Sequence, residues 1–250
     1  MAALGGVLFF VLLKNREKQM GLLKDEHYWL LVNVLAVSAF LGARLFYIIF
    51  SAPPGTPEFG AAVFAVNRGF SAFGFFSGIL AGSWFFTRAL KLDFLRFFDY
   101  VCAFLPVWQI FARFGCFMRG CCYGRPAGDS LAWSVTFTDF GASVPRELLG
   151  LPLHPVQLYE AAGSAVLALA LYSVLLRTEN GRLGKGAVCA SYLLGYGLLR
   201  FALEWFRGDT LPFWRFITVG QAMASVLAVL GAVFLTLALK KARVKADGRD

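Results

Sequence analysis

Long apolar stretches constrain the fold of this chain more than any other feature of its sequence. A helix that crosses a bilayer needs about 20 mostly apolar residues. Six stretches meet or approach this length: Tyr28–Phe50, Gly69–Leu90, Phe94–Ala112, Val156–Leu176, Gly186–Leu203 and Phe216–Leu239. A seventh, shorter stretch, Ala2–Leu13, cannot span a bilayer by itself, and we interpret it as part of a further helix. The sequence therefore predicts an all-α, polytopic membrane protein with seven transmembrane helices in a single domain, residues 1–250.

The composition argues against a water-soluble domain. Apolar residues make up 58% of the chain and charged residues only 16%, whereas soluble domains carry roughly 25% charged residues. The net charge of +9 would suggest a nucleic-acid partner in a soluble protein. Here the basic residues lie between apolar stretches, where anionic lipid headgroups would meet them. We therefore expect membrane lipids, and no nucleic acid, as partners.

The distribution of lysine predicts how the chain is oriented. Short cytoplasmic loops are enriched in basic residues. If the N-terminus is outside, the cytoplasmic segments are residues 14–26, 88–96, 177–185 and the tail from Lys240, and together they contain all eight Lys. We therefore predict that the N-terminus is outside, the C-terminus is inside, and residues 113–155 form a loop on the outer side.

Arginine, by contrast, collects on the predicted outer side. Guanidinium groups at membrane depth are costly, so they normally face a cavity or a partner. The alternative is that some reach out to the headgroups, and it stays open for Arg68 and Arg215. The outer arginines are Arg44, Arg113, Arg119, Arg125, Arg146, Arg200, Arg207 and Arg215.

Two polar segments stand out between the fourth and fifth stretches. Residues 113–126, RFGCFMRGCCYGRP, combine arginine with Gly115, Gly120 and Gly124. Glycine permits close approach to a backbone, and arginine suits a phosphate because its planar fork binds two oxygens. Residues 154–160, HPVQLYE, open the fifth helix with four polar side chains. The alternative is that this segment anchors the helix at the membrane interface. Glu160 argues against this alternative, because a glutamate is unfavourable on a lipid-facing surface.

A third polar segment lies on the sixth stretch. Tyr196, Arg200, Glu204 and Arg207 recur at spacings that place them on one stripe of a helix. Glu204 can then pair with either arginine. The stripe is either a structural set of ion pairs, or a device in which Glu204 orients arginines toward a bound anion.

Together these segments resemble the prolipoprotein diacylglyceryl transferase family of bacterial inner-membrane enzymes. The family pattern Arg-x-Gly-Asn-Phe, continuing to Gly-Arg, is matched from Arg113 to Arg125, with Cys116 in place of Asn. The pattern His-Pro-x-Gln-Leu-Tyr-Glu is matched without change, and Tyr-Gly…Arg…Glu-Phe-x-Arg is matched from Tyr196 to Arg207 with Trp205 at the Phe position. Further matches are Gly42-Ala-Arg44-Leu-Phe-Tyr47, Asp99 and Gly220-Gln221.

This resemblance implies transfer of the diacylglyceryl group of phosphatidylglycerol to the lipobox cysteine of a preprolipoprotein signal peptide, with release of glycerol phosphate. It implies no metal and no cofactor. The active site would face the outer side of the inner membrane. The catalytic residues that it implies are Arg113, Arg200, Glu204, Tyr196 and His154. The substrate-binding residues that it implies are Arg113, Gly115, Gly124, Arg44, Gln157, Tyr159, Glu160 and Arg207.

On this interpretation, catalysis is electrostatic. The substrate thiolate attacks the glyceryl carbon while negative charge grows on the departing phosphate oxygen. Arg113 and Arg200, held by Glu204, would stabilise that charge more strongly in the transition state than in the ground state. His154 could assist removal of the thiol proton.

The chain departs from the family pattern in several places. The third stretch lacks a His before Ser77-Gly78, and Cys121 takes the place of the usual acidic residue. We also expect that the family's N-terminal segment, which carries a tyrosine, has no counterpart in this chain.

Two other functions are compatible with parts of the sequence. Cys116, Cys121, Cys122 and His154 could supply four soft ligands to a structural zinc ion. The spacing Cys-x4-Cys-Cys is, however, unusual for zinc. Alternatively, an outer cavity lined by arginines could belong to a non-catalytic phospholipid-binding protein or a transporter. A transporter should show a polar site at the midplane and internal repeats, and the sequence shows neither.

Overall fold

A computed structural model describes residues 1–20, 25–51, 59–60, 71–128, 131–210, 212–214 and 217–246. The described part of the chain is mostly helical. Its long helices are α1 (Ala2–Met20), α2 (Asp25–Ser51), α3 (Ala72–Ala89), α4 (Phe94–Arg119), α5 (Val156–Glu179), α6 (Ala187–Leu203) and α7 (Val219–Ala246). The predicted helix starts at Gly69 and Phe216, and the residues Arg68 and Arg215, lie outside the described ranges.

Five spans are long and apolar enough to cross a membrane. They are His27–Ile49, Phe94–Arg119, Val156–Glu179, Ala187–Phe206 and Val219–Ala242. The prediction of a polytopic helical membrane protein is thereby confirmed. The other two long helices, α1 and α3, have 19 and 18 residues and are not among these five.

The fourth helix is longer than predicted. We expected it to stop at Ala112, where the apolar stretch ends, but α4 continues to Arg119. Helix propensity does not disfavour arginine, and an ion pair described below compensates for the charge of Arg113. The first half of this polar motif, residues 113–119, therefore lies on a helix and not in a loop.

The chain forms two compact units. The smaller unit comprises residues 16–97, and the larger one comprises residues 1–15 and 98–250. In the smaller unit, α2 and α3 approach closely at Gly42, Gly74 and Gly78. A Cβ atom added at any of the three would overlap the backbone of the facing helix. Such contacts between small residues are typical of helix pairs in membranes.

In the larger unit, α6 packs between α5 and α7. Gly197 lies against the backbone at Ala224 and Ala228, and Gly231 lies against the backbone at Leu194. Because these contacts bring the helix backbones close together, they fix the position of α6, which carries two of the site residues.

Asp99 of α4 holds the start of α6. Its carboxylate, which is 1% exposed, accepts hydrogen bonds from the backbone N–H of Gly186 at 2.7 Å and of Cys189 at 2.9 Å. A helix start presents unpaired N–H groups and a partial positive charge, so a carboxylate there is stabilising. Asp99, which matches the family pattern, thus has a structural role.

The loops contain short strands, and the all-α prediction did not include any strand. Strand β1 (Val135–Thr136) pairs antiparallel with β2 (Pro152–Leu153), and β3 (Pro212–Trp214) pairs antiparallel with β4 (Ile217–Thr218). Both pairs lie next to the ends of helices that carry polar motifs.

Candidate active site

An ion pair between α4 and α5 forms the first part of the site. Arg113 Nη2 lies 2.8 Å from Glu160 Oε1, and the Tyr196 hydroxyl donates a 3.1 Å hydrogen bond to the same oxygen. Glu160 is only 1% exposed, whereas the side chain of Arg113 retains 20% exposure. A buried carboxylate is tolerated where it is paired. Glu160 therefore fixes one edge of a guanidinium group that stays accessible.

A second ion pair lies at the end of α6. Arg200 Nη2 is 2.9 Å from Glu204 Oε2, and the Thr218 hydroxyl donates a 2.8 Å hydrogen bond to Glu204 Oε1. Arg207 is held less closely by this carboxylate, because its Nε atom is 3.9 Å from Oε2. Arg207 Nη2 instead bonds to Asp209 Oδ2 at 2.6 Å. Glu204 thus orients Arg200 directly.

The two ion pairs belong to one site. Tyr196 interacts electrostatically with the guanidinium groups of both Arg113 and Arg200. The guanidinium groups of Arg207 and Arg113 are close enough to repel each other. Several cationic groups are therefore gathered where α4, α5 and α6 meet.

Four buried atoms of the site residues lack a hydrogen-bond partner among the described residues: Arg200 Nη1, Glu160 Oε2, Gln157 Oε1 and Glu204 Oε2, of which the last is ion-paired with Arg200. Unsatisfied buried polar atoms are uncommon in proteins and call for an explanation. A guanidinium that is held on one side by a carboxylate and has a donor to spare can bind an additional anion.

The structure corrects the predicted role of Glu204. We expected Glu204 to hold both catalytic arginines, but the structure pairs Arg113 with Glu160. The predicted single helical stripe is also wrong beyond Leu203, where α6 ends. Glu204–Phe206 form a 3-10 turn, and Arg207 has an extended backbone. Each arginine consequently has its own carboxylate, one on α5 and one just after α6.

The loop after α4 is held on both sides by backbone hydrogen bonds. On one side, Arg125 N–H donates to Phe206 at 2.8 Å, and Gly208 N–H donates to Tyr123 at 3.0 Å. On the other side, His154 N–H donates to the Arg125 carbonyl at 3.0 Å. The loop after α4 therefore connects the residues that follow α6 to the segment that begins α5. These hydrogen bonds bring parts of all three polar motifs next to one another.

Of the three glycines in the first polar motif, two occupy positions where a side chain would be strained or would overlap a neighbour. Gly120 has a φ of +70°, and Gly124 packs so closely against His154 that a Cβ atom would overlap the histidine backbone. Gly115 lies within α4, and a Cβ there would make only an ordinary 3.5 Å contact with Met1. The expected close approach at Gly115 is therefore not demanded by its protein neighbours.

The polar residues of the second motif separate into two groups. Gln157, which is 1% exposed, donates from Nε2 to the Cys121 carbonyl at 2.9 Å and so supports the loop after α4. The Tyr159 hydroxyl accepts a 2.8 Å hydrogen bond from Trp133 Nε1 and lies 3.4 Å from His154 Nδ1. Phe206 packs edge-on against the rings of both His154 and Tyr159.

The remaining arginines fall into distinct environments. Arg119, Arg125 and Arg146 are exposed, although Arg125 Nε donates to the Arg207 carbonyl at 2.9 Å. Arg44 belongs to the smaller unit, where it is 8% exposed and its guanidinium lies 5.8 Å from the Tyr47 ring centre. The partly accessible, carboxylate-held arginines are thus Arg113 and Arg200.

Sequence reasoning missed the contribution of the start of α7. Thr218 and Gln221 cap this helix reciprocally: Gln221 N–H donates to the Thr218 hydroxyl, and Thr218 N–H donates to Gln221 Oε1, each at 3.1 Å. Gly220 lies under the Glu204 carboxylate, which a Cβ atom would overlap. The pattern Thr-x-x-Gln before an apolar stretch is a known helix-start signal, so the cap could have been recognised. Its contact with Glu204 could not.

The three cysteines of the first polar motif, residues 113–126, lie close together. The sulfur atoms of Cys116, Cys121 and Cys122 are all within 4.8 Å of one another. Among the described residues, His154 is not part of this group. The four-ligand zinc site considered from the sequence is therefore not formed with His154.

Comparison with known proteins agrees with the geometry. The chain matches the family described as prolipoprotein diacylglyceryl transferase over residues 1–237. It is 29% identical over 225 residues to the phosphatidylglycerol–prolipoprotein diacylglyceryl transferase of Zymomonas mobilis, covering 88% of this chain and 73% of that protein. It is 33% identical over 221 residues to the protein of the same name from Azoarcus sp., covering 88% of this chain and 78% of that protein. On its sequence, its helices and its site, the chain belongs to the prolipoprotein diacylglyceryl transferase family.

Proposed function

We propose that this chain transfers the diacylglyceryl group of phosphatidylglycerol to the lipobox cysteine thiol in the signal peptide of a preprolipoprotein, and releases glycerol phosphate. The observation that carries the proposal is the pair of carboxylate-held arginines. Arg113 and Arg200 have different partners, Glu160 and Glu204, yet both interact with Tyr196. Family membership supplies the class of reaction.

The chemical step is a displacement at carbon. The substrate thiol loses its proton, its sulfur forms a bond to the glyceryl carbon, and the bond from that carbon to the phosphate oxygen breaks with its electron pair remaining on oxygen. Arg113 and Arg200 stabilise the charge that develops on this oxygen. Because both are held by buried carboxylates, little reorganisation is needed as the charge appears. His154, half-buried beside Tyr159, is the side chain that we assign to the thiol proton.

The other site residues bind and position the substrates. Arg207 is held between Glu204 and Asp209, and Gln157 supports the loop next to Arg113. Burial lowers the pKa of Arg207, but the Asp209 carboxylate and the Cys122 thiol outweigh burial, so the pKa lies above its ordinary value. Arg207 therefore stays cationic and adds to the attraction for an anionic headgroup. Gly115, Gly124 and Tyr159 complete the proposed binding set of the larger unit, and Arg44 remains a separate proposed substrate-binding residue of the smaller unit.

The proposed setting is the bacterial inner membrane. We infer seven spans in one transmembrane domain, with α1 and α3 completing the five apolar spans described above. The N-terminus is outside and the C-terminus inside, and residues 113–155 and the site lie on the outer side. The lysine distribution supports this orientation.

The direct test is incubation of the purified protein with phosphatidylglycerol vesicles and a lipobox peptide, followed by mass spectrometry. We expect the mass of one diacylglyceryl group on the peptide, and none on a matched peptide in which the cysteine is replaced by serine. Vesicles of phosphatidylethanolamine alone control for the donor headgroup. Binding of phosphatidylglycerol without any mass increment would contradict the proposal and favour the phospholipid-binding alternative.

A further inference from the structure

The end of α4 brings three thiol groups together through a defined backbone motif. Gly120 N–H donates to the Phe117 carbonyl, and Cys121 N–H donates to the Cys116 carbonyl, each at 3.1 Å. With Gly120 in the left-handed region, this is the hydrogen-bond pattern of a Schellman C-cap. The motif folds the chain back over the helix end. As a result, Cys121 lies beside Cys116, with its sulfur 3.7 Å from the Cys116 carbonyl oxygen.

Cys122 completes the group at an energetic cost. Its φ of +57° lies in the left-handed region, which is unfavourable for a non-glycine residue. The surrounding structure maintains this conformation: the next residue, Tyr123, accepts the hydrogen bond from Gly208. Backbone strain of this kind is concentrated at functional sites. Here it keeps the third sulfur within 4.8 Å of the other two.

Two guanidinium groups lie beside the thiols. The Arg113 guanidinium interacts electrostatically with Cys116 and Cys122, and Arg207 also contacts the Cys122 thiol. Metal ions are bound by the thiolate form of cysteine. Three thiolates around one monovalent or divalent cation carry net negative charge, and the two arginines would balance it.

We propose that Cys116, Cys121 and Cys122 bind one soft, thiolate-preferring cation of the Zn²⁺ or Cu⁺ type. At a metal–sulfur distance of about 2.3 Å, the sulfurs of a tetrahedral site are about 3.8 Å apart. The observed spacing therefore needs only a contraction of about 1 Å or less at each pair. Soft sulfur ligands select Zn²⁺ and Cu⁺ over harder cations. The inference goes beyond the proposed transfer reaction, in which these cysteines take no part.

The first experiment measures metal binding by the full-length protein in detergent after anaerobic reduction. Separate samples receive Zn²⁺ or Cu⁺, and bound metal is counted after competition with a chelator of known affinity. We expect one equivalent of one of these ions. Replacing Cys116, Cys121 or Cys122 by serine should weaken metal binding by more than about 100-fold. Loss of a hydrogen-bond partner of a metal ligand already lowers metal affinity by about 10–100-fold, and loss of the ligand itself should lower it further. Cys189→Ser is the matched control, since that thiol contacts Cys102 instead.

A second measurement needs no variant and is independent of transferase activity. In the wild-type protein, Zn²⁺ or Cu⁺ should protect the three thiols from alkylation, while the reactivity of Cys102 and Cys189 stays unchanged. Absence of stoichiometric binding would overturn the proposal, and so would binding that survives all three substitutions. A disulfide between two of the three cysteines in protein taken directly from membranes would also overturn it, in favour of a redox pair. A protein that binds metal but transfers no lipid would instead contradict only the proposed function.

Discussion

At the residue scale, the site depends on two glutamates that are almost completely buried. Glu160 is 1% exposed and Glu204 is 2% exposed. Glu160 holds Arg113 of α4, and Glu204 holds Arg200 of α6. Removing one partner of a buried ion pair leaves an uncompensated charge and is strongly destabilising. The carboxylates therefore determine where the guanidinium groups point, although neither carboxylate needs to touch the lipid.

We predict that Glu160→Gln lowers the transfer rate by about tenfold or more. The neutral amide keeps the size of the side chain but loses a charged hydrogen bond worth about 1.5–3 kcal/mol, so Arg113 is no longer held in place. Steady-state kinetics with a lipobox peptide would measure the effect. Glu147→Gln is the matched control, because Glu147 is exposed in the short 3-10 turn before β2. Equal rates for the two variants would show that the Arg113–Glu160 pair is only structural.

The sequence allowed one of the two ion pairs to be predicted. Arg200 and Glu204 are four residues apart, and a helical spacing of four brings side chains together. Arg113 and Glu160 lie on different helices, α4 and α5, and no local spacing encodes their contact. The family pattern identified Glu160 as a substrate-binding residue, which stays a prediction, but its ion pair with Arg113 was not predicted.

At the element scale, the start of α7 completes the site. The reciprocal cap of Thr218 and Gln221 fixes the first turn, and the Thr218 hydroxyl extends from this cap to Glu204. The helix start thus holds the carboxylate that holds Arg200. Glycine at position 220 leaves room for the Glu204 carboxylate, which a Cβ atom would overlap.

We predict that Gly220→Ala reduces transfer although it adds a single methyl group. The new Cβ would overlap the Glu204 carboxylate, so Glu204 must move and Arg200 loses its orientation. The measurement is the transfer rate, together with thermal unfolding to separate a local effect from a global one. Gly6→Ala serves as control, because a Cβ there meets only Trp108, at 3.9 Å. An unchanged rate in Gly220→Ala would argue against the role of this contact.

The sequence predicted the existence of the helices better than their ends. Runs of apolar residues are sufficient to identify spans, and five of them are confirmed. The end of α4 was misplaced because a paired arginine can continue a helix, and the pair is visible only in three dimensions. The Gly120 cap is a stop signal that the sequence does contain. The short strands around the site depend on pairing between distant segments and could not be inferred from local pattern.

At the scale of the whole molecule, the orientation of the chain can be tested. All eight lysines lie in segments that the N-out, C-in arrangement places inside, so we predict that the C-terminal tail is cytoplasmic. Green fluorescent protein fused to this tail should fluoresce in a bacterial host, and alkaline phosphatase at the same position should be inactive. A fusion in the exposed loop around Gly141 should give the opposite pattern. Active phosphatase at the C-terminus would contradict the predicted topology.

The measurement that tests the central claim most directly is the rate of transfer by Arg113→Ala and Arg200→Ala, with kcat and KM determined separately. Each substitution should lower kcat/KM by about 100-fold or more, the usual effect of removing one transition-state donor, and the loss should appear in kcat. Arg119→Ala, at the exposed end of the same helix as Arg113, should transfer like the wild type. Turnover close to wild type in both Arg113→Ala and Arg200→Ala would contradict the assignment of these arginines to the departing phosphate.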